Sequence, residues 1–199
     1  MSTDVFSEMI EYPVEERHIE FKNDVKWEGE TKIKLTKHVL AMANLRDGGW
    51  IIIGKEEQND RTFVNVGMLE ENYNSFDPDN VKAFVYSHAD PPVRLIVHKK
   101  EHDGKRFVGI EVKGFDTVPV ICKKTESDLL LEGKIYVRSK GKPESVLVQN
   151  YAEMKEIIDI AIDNGLSNLL GRLKFLGIHF EAVRATDKEK FDEEIADLK

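Results

Sequence analysis

Two acidic segments, 15–22 and 41–56, hold the side chains best suited to chemistry. The first contains Glu15 and Glu20, and the second ends at Glu56. Hydrolysis of a phosphodiester commonly uses one or two divalent ions, and clustered carboxylates supply the hard oxygen ligands that Mg²⁺ and Mn²⁺ prefer. If the strand that carries Glu20 pairs near the strand that precedes Glu56, the three carboxylates would converge on one metal ion.

The spacing of the carboxylates leaves more than one arrangement open. Glu15 and Glu20 would face opposite sides of a continuous strand, so Glu15 must lie in a bend if both are ligands. Glu16 and Glu20 would instead share a face, and Glu57 and Asp60 are nearby substitutes for Glu56. Spacing alone favours the simplest alternative, an acidic edge exposed to solvent.

A glycine-containing segment precedes the second group of carboxylates. Gly48-Gly49 comes before an apolar run and Gly54 follows it. No Gly-Lys-Ser/Thr follows, as a Walker loop requires, and a dinucleotide fingerprint would place its glycines after the strand. The pattern is typical of a helix-to-strand turn, and nucleotide binding is therefore the least favoured function.

Basic side chains form several clusters that could contact phosphate groups. Lys22 lies beside Glu20 in the sequence and is a candidate to position a substrate backbone. The six histidines show no metal-ligand spacing with one another. The other predicted nucleic-acid contacts, on a helix, near a hairpin and after a strand, are Lys32, Lys34, Lys37, Lys99, Lys100, Arg138 and Lys140.

Hydrophobic periodicity predicts an α+β fold that would position these groups. Alternation over 18–22 and the continuous apolar run 50–53 predict two strands, and a helical period over 31–44 predicts the helix between them. Other predicted elements are a helix over 79–88 with Asp77 as its cap, strands at 63–66, 118–122 and 135–138, and a hairpin of 93–98 with 106–112 around Asp103-Gly104.

The carboxyl-terminal part has a helical pattern of its own. Apolar residues follow a helical period from 150 to about 164, Gly165 can cap that helix, and a second amphipathic stretch covers 166–176. We therefore predict a mixed α/β domain over 13–150, whose sheet is packed by helices, and a helical extension over 151–199.

Composition restricts the compartment and the partners. The net charge of −8 disfavours nonspecific DNA binding, although 1–30 carries −6, 151–199 carries −4 and the middle of the chain carries +2. One cysteine, Cys122, excludes an intrachain disulfide. The first residues lack a signal-peptide pattern and no apolar run has the length of a membrane span. We expect a cytoplasmic protein with no membrane association.

The two segments together resemble a known family. Glu15, four residues, Glu20-Phe21-Lys22, then Ala41-Met42-Ala43-Asn44, Gly48-Gly49 and Trp50 to Gly54 are similar to the pattern of the Schlafen AlbA-type domain. The stretch 135–139 resembles the Tyr-x-Arg stretch of that family. The resemblance covers about 13–150.

The resemblance implies a mixed α/β fold and two candidate activities. Some members of the family are metal-dependent ribonucleases that cut transfer and ribosomal RNA, and their three carboxylates fall on Glu15, Glu20 and Glu56. The family has Asp where this chain has Glu56, whose extra methylene displaces the carboxylate by about 1.5 Å; a misplacement of about 1 Å can cost roughly a hundredfold in rate. Other members are described as nucleic-acid-binding or regulatory proteins.

These observations lead to one hypothesis and one alternative. The hypothesis is an endoribonuclease that acts on structured RNA such as tRNA, with Mg²⁺ or Mn²⁺ held by Glu15, Glu20 and Glu56 and with Lys22 in the catalytic group. A homodimer through the apolar face of 150–176 would let so small a chain span its substrate. The alternative is a noncatalytic nucleic-acid-binding, transcriptional regulatory or protein-interaction module.

Overall fold

A four-stranded mixed sheet forms the centre of the fold in the computed structural model, which describes residues 4–178. Its strand order is β1 (Ile19–Lys22), β2 (Gly49–Ile53), β7 (Lys105–Val112) and β6 (Leu95–His102). The first two strands are parallel and the remaining pairs are antiparallel. Glu20 is paired in register with Ile51, so the two motif strands are neighbours, which is the condition set above for their carboxylates to converge.

Helices lie on both faces of this sheet, because its central strands are apolar on both faces. Helix α1 (Val5–Glu11) packs Phe6 and Ile10 against a small cluster that includes Ile52. Helix α2 (Gly29–Ala43) packs on the other face, in a larger core that includes Ile51 and Ile53. The sheet, its helices and the α+β class agree with the sequence prediction.

Short elements complete the first compact unit, Met1–Asn164. Helix α4 (Pro78–Tyr86) begins with the predicted Asp77 cap, whose Oδ1 accepts the Asn80 N–H at 2.9 Å. The hairpin turn places Asp103 and Gly104 at φ +48° and +71°, as a two-residue turn of this hand requires. The remaining elements are β3 (Lys55–Glu57), β4 (Phe63–Asn65), α3 (Glu70–Ser75), β5 (Ala89–Asp90), β8 (Ile121–Cys122), β9 (Tyr136–Arg138) and β10 (Ser145–Leu147).

The carboxyl-terminal helix differs from its prediction. Helix α5 runs from Tyr151 to Phe175, and Gly165 lies inside it, so the predicted helix end at Gly165 is wrong. A glycine in a helix interior costs about 1 kcal/mol, which the long helix tolerates. The second compact unit is Gly165–Lys199. The predicted boundary at residue 150, between the mixed α/β domain and the helical extension, stays a prediction.

No helix within the described range 4–178 has both the length and the apolar content needed to cross a membrane.

Candidate functional site

Glu20 is the centre of a buried polar cluster on the α2 side of the sheet. Glu20 is 4% exposed, because β1 turns this side chain inward beneath α2. The carboxylate Oε2 accepts a hydrogen bond from Arg138 Nη1 at 2.6 Å, and Oε1 is paired with Lys22 Nζ. Both carboxylate oxygens are therefore already bound by cationic side chains.

Burial alone would raise the pKa of Glu20, but the surrounding groups reverse that effect. The positive charges of Lys22 and Arg138 and the His38 ring favour the carboxylate, and the pKa of Glu20 falls below its ordinary value of 4.5. Glu20 is consequently ionised at neutral pH, as the partner of a fully buried arginine.

His38 supports this carboxylate as a neutral imidazole. Burial lowers the pKa of His38 to about 3. Its Nδ1 lies 2.9 Å from Ser145 Oγ and 3.4 Å from Arg138 Nη1. Since an arginine only donates, Nδ1 acts as an acceptor and Nε2 carries the hydrogen. That N–H lies 3.6 Å from Glu20 Oε1, where it favours the negative charge without forming an ion pair.

Glu15 lies before β1 and interacts with the backbone of the same strand. Its Oε1 accepts the N–H of Phe21 at 2.7 Å, which satisfies a backbone donor on the edge strand of the sheet. Burial first, and then the negative charge of Glu20, raise the pKa of Glu15 above 4.5. The structure therefore brings Glu15 and Glu20 close enough to repel each other.

Glu56 lies on β3, outside the central four-stranded sheet. Strand β2 ends at Ile53, and β3 pairs with β4 in a separate two-stranded sheet. Gly54, at φ +111°, makes the break between the two strands. Glu56 is partly exposed, and its Oε1 accepts a hydrogen bond from Asn23 Nδ2 at 3.0 Å.

The three carboxylates in this arrangement do not fit a shared metal ion. Metal ligation requires ligand oxygens at about 2.0–2.6 Å from one point. In the range 4–178, one set of three His, Cys, Asp or Glu side chains brings its ligand atoms within 4.8 Å of one another, and that set is Glu11, His102 and Asp103. The oxygens of Glu20 are moreover occupied by Lys22 and Arg138.

The predicted phosphate contacts divide into three groups. Arg138 is 0% exposed and its guanidinium also donates to the Arg17 carbonyl, so its assignment as a direct nucleic-acid contact is corrected to an internal ion pair. Lys34, Lys100 and Lys140 are each paired with an acidic side chain. The third group packs its ammonium groups over aromatic rings and consists of Lys32, Lys37 and Lys99.

Two buried polar residues hold the site in place and were not predicted as such. Asn44 Nδ2 lies within hydrogen-bond distance of the carbonyls of Leu40, Val120 and Tyr136, and its Oδ1 accepts the Val120 N–H at 2.8 Å. The amide therefore ties the end of α2 to β9 and to the segment before β8. An asparagine between apolar residues at the end of a helix is the sequence signal that predicts this role.

Lys55, the first residue of β3, ties that strand to α1. It is 3% exposed, and its Nζ donates to the carbonyls of Ile10 at 2.7 Å and Tyr12 at 2.6 Å. These carbonyls belong to the end of α1, where a cation is favoured by the helix dipole. Burial lowers the pKa of Lys55 to about 8. Hydrophobic periodicity does not predict this role of Lys55, because the carbonyls that it binds belong to a different element, the end of α1.

The Gly48-Gly49 pair is explained by close packing. A Cβ on Gly48 would lie 1.9 Å from the Val112 carbonyl oxygen, and one on Gly49 would lie 2.5 Å from the His18 carbonyl oxygen. Gly48 also has φ +75°, where other residues are strained. These glycines allow β2 to enter the sheet, as the interpretation of a helix-to-strand turn predicts.

Comparisons with known proteins give a family and a limited structural likeness. A search of curated proteins gives no match. The DIP2311 protein of Corynebacterium diphtheriae is 20% identical over 70% of this chain, with TM-score 0.47, and the match spans 23% of that chain. The N-terminal domain of a RecG-related protein of Nitrosomonas europaea is 22% identical, with TM-score 0.44, over 75% of this chain and 95% of that chain.

The family model described as Schlafen, AlbA_2 matches residues 15–146, which is more than half of the chain. The matched range begins at Glu15 and includes both motif strands, α2 and the Arg138 strand. These are the elements that build the buried cluster around Glu20. The chain therefore belongs to the Schlafen AlbA_2 family.

Proposed function

We propose that this chain is a nucleic-acid-binding protein that contacts the phosphate backbone of RNA through partly exposed lysines. The observation that carries the proposal is the family match over 15–146, since the family supports nucleic-acid binding. Phosphate contacts supply most of the affinity in such complexes and depend on charge more than on base sequence.

Three lysines are the best candidates for these contacts. Lys32, Lys37 and Lys99 form no ion pair within 4.0 Å with an acidic residue of the described range, so their charge is available to a phosphate. Their ammonium groups lie 4.4, 5.9 and 4.2 Å from the centres of the rings of Phe84, Tyr136 and Tyr73. The rings hold the side chains in place while the ammonium groups keep their charge.

Three other lysines provide matched controls. Lys34 lies 2.9 Å from Glu30 and Lys140 lies 3.2 Å from Glu156, and Lys100 is paired with Asp4. A lysine whose charge is already neutralised gains less from an added phosphate. We therefore expect the single substitutions K34A and K140A to change RNA affinity less than K32A and K37A.

Fluorescence anisotropy with labelled tRNA and with a single-stranded RNA, at several salt concentrations, tests the proposal. Replacing Lys32, Lys37 and Lys99 with alanine is expected to weaken binding and to flatten the salt dependence. Replacing Lys34, Lys100 and Lys140 is the charge-matched control. Equal effects of the two triple variants would contradict the assignment, and no binding by the wild type would contradict the function.

Metal-dependent cleavage of structured RNA is a second candidate. The observation that favours it is the position of Glu15, whose pKa is raised first by burial and then by the charge of nearby Glu20, since perturbed carboxyl groups are common at reactive sites. Glu56 would have to join them in the complex. Incubation of tRNA with the protein and Mn²⁺ tests this, with E15Q and E56Q as variants that leave the buried Arg138 pair intact. Intact tRNA in every sample would exclude the candidate.

A homodimer would extend the surface offered to a structured RNA. Within the first compact unit, α5 exposes Tyr151, Met154, Ile158 and Ile162, at 80%, 39%, 48% and 54%. Light scattering after gel filtration tests this part of the proposal, and I158E is expected to shift a dimer to a monomer. A wild-type protein that is monomeric at all concentrations would contradict it.

A further inference from the structure

A cavity of about 520 Å³ lies at the end of the sheet where β2 begins and β7 ends. Its wall includes Trp50, Arg17, Arg46, Lys113 and Glu156, and we call it the Trp50 cavity. The volume is within the roughly 300–1,000 Å³ range of sites for small organic groups. None of the residues predicted from the sequence to contact metal or phosphate lines it.

An aromatic platform forms one side of the Trp50 cavity. The ring of Trp50 is stacked on that of Phe6, with centroids 5.9 Å apart and planes inclined by 7°. His98 contacts both rings, at 5.0 Å from Trp50 and 5.5 Å from Phe6. Phe6 is 5% exposed, so the stack is anchored in the core beneath α1. Trp50 is thus fixed in orientation before any ligand arrives.

Each of three cationic side chains in the wall of the cavity, Arg17, Arg46 and Lys113, is paired with a carboxylate. Arg17 makes two hydrogen bonds to Glu156, at 2.6 and 2.9 Å, and Arg46 lies 2.6 Å from Asp163. Lys113 is paired with Glu111. The wall therefore offers both hydrogen-bond donors and acceptors without an excess of positive charge.

This chemistry favours a neutral planar ligand over a phosphate. A phosphate group is bound best by unpaired positive charge, whereas Arg17, Arg46 and Lys113 are each paired with a carboxylate. A nucleobase is neutral, presents donors and acceptors along its edge, and has an aromatic face that stacks on Trp or Tyr side chains. A guanidinium held as firmly as that of Arg17 also offers a planar surface for stacking.

We propose that the Trp50 cavity binds one unpaired base of an RNA strand held by the protein. The proposal rests on the nucleic-acid-binding function proposed above and specifies its substrate class. Bases in a duplex are stacked and paired, and their faces are not available to a cavity of this kind. The protein therefore selects single-stranded or loop RNA over continuous duplex.

Anisotropy with a labelled single-stranded RNA and with a blunt-ended, fully paired RNA duplex of the same base composition tests the proposal. The variants are W50L, which removes the aromatic platform, and W50F, which keeps a smaller ring. The control is W27F, because Trp27 is 9% exposed and packs against Phe76 and Phe84, away from the wall of the cavity. We expect W50L to lose about tenfold or more in affinity for the single strand, W50F to lose less, and the paired duplex to bind all variants alike.

A second measurement keeps the test decisive if W50L does not fold. The chain has two tryptophans, so in W27F the tryptophan emission comes from Trp50 alone. Titration of W27F with unlabelled single-stranded RNA is expected to quench this emission, and the paired RNA is expected to leave it unchanged. Binding of both RNAs with unchanged Trp50 emission would overturn the cavity proposal and leave the proposed function standing. Binding of neither RNA would overturn both.

Discussion

Replacement of Glu20 by glutamine isolates the negative charge at the centre of the buried cluster. Glutamine keeps the shape of the side chain but leaves Arg138, which is 0% exposed, without its anionic partner. Removal of one member of a buried ion pair typically costs about 3–5 kcal/mol. Since about 1 kcal/mol shifts Tm by roughly 2–4 °C in a chain of this size, we expect E20Q to lower Tm by roughly 6–20 °C.

Thermal and denaturant unfolding followed by circular dichroism measures this effect. The double variant E20Q/R138M is expected to cost less than the sum of the two single changes, because neither side chain then leaves a buried charge behind. E56Q is the matched control, and at this partly exposed position we expect a change within about 0.5 kcal/mol. Additive single effects, or a cost for E20Q below about 1 kcal/mol, would refute the structural role of Glu20.

The pH dependence provides a second check on the same residue. The folded-state pKa of Glu20 lies below its ordinary value of 4.5, so the stability that Glu20 contributes is fully present above pH 4.5. It is lost as the pH falls below 4.5 through the folded-state pKa. The difference in stability between wild type and E20Q should therefore shrink in that acidic range and be constant near neutrality.

Three further predictions concern other parts of the fold. In the folded state the pKa of Glu15 is raised, so E15Q should stabilise the protein at neutral pH. Tm measured against pH should show this gain fading as the pH falls toward 4.5. A gain in Tm that persists at about pH 4 would contradict the prediction. The pKa of Lys55 is lowered to about 8, so wild type should gain stability relative to K55M as the pH rises from 8 to 10.5. A difference in unfolding free energy that stays constant over this range would contradict the prediction. G48A should cost more than G133A in the same unfolding assay, because both glycines have positive φ but only the first would place its Cβ against a carbonyl oxygen of β7; equal costs above about 1 kcal/mol would contradict the close-packing argument.

The local elements of the fold follow from the sequence because their signals are local. Alternation at 18–22, the apolar run at 50–53 and the Asp103-Gly104 turn predict strands and a hairpin that the structure contains. The end of the last helix could not be predicted in this way. A glycine stops a helix only when the following residues leave it, and the apolar pattern after Gly165 continues the helix to Phe175.

The buried cluster could be predicted only in part. The sequence singles out Glu20 as a candidate metal ligand with Lys22 beside it, but Arg138 and His38 come from β9 and α2, far along the chain. A carboxylate that meets Arg138 has a different role from one that meets two further carboxylates, and periodicity does not distinguish the two cases. Glu56 illustrates the same limit, since the break at Gly54 places it in a separate sheet.

The Trp50 cavity was missed for a related reason. Arg17, Arg46 and Lys113 belong to three separate segments, and the fold alone brings them to one end of the sheet. In the sequence, Trp50 is simply the first residue of an apolar run. A tryptophan at the start of a central strand indicates a binding cavity only when the side chains around it are known.

The salt dependence of RNA binding tests the central claim most directly. A plot of the logarithm of affinity against the logarithm of salt concentration, measured for wild type and for the K32A/K37A/K99A variant, reports how many phosphates the protein neutralises. Each phosphate neutralised on a single strand contributes about 0.7 to the slope, so we expect the triple variant to reduce the slope by about 2. A wild type that does not bind RNA at low salt, or a triple variant with an unchanged slope, would contradict the account.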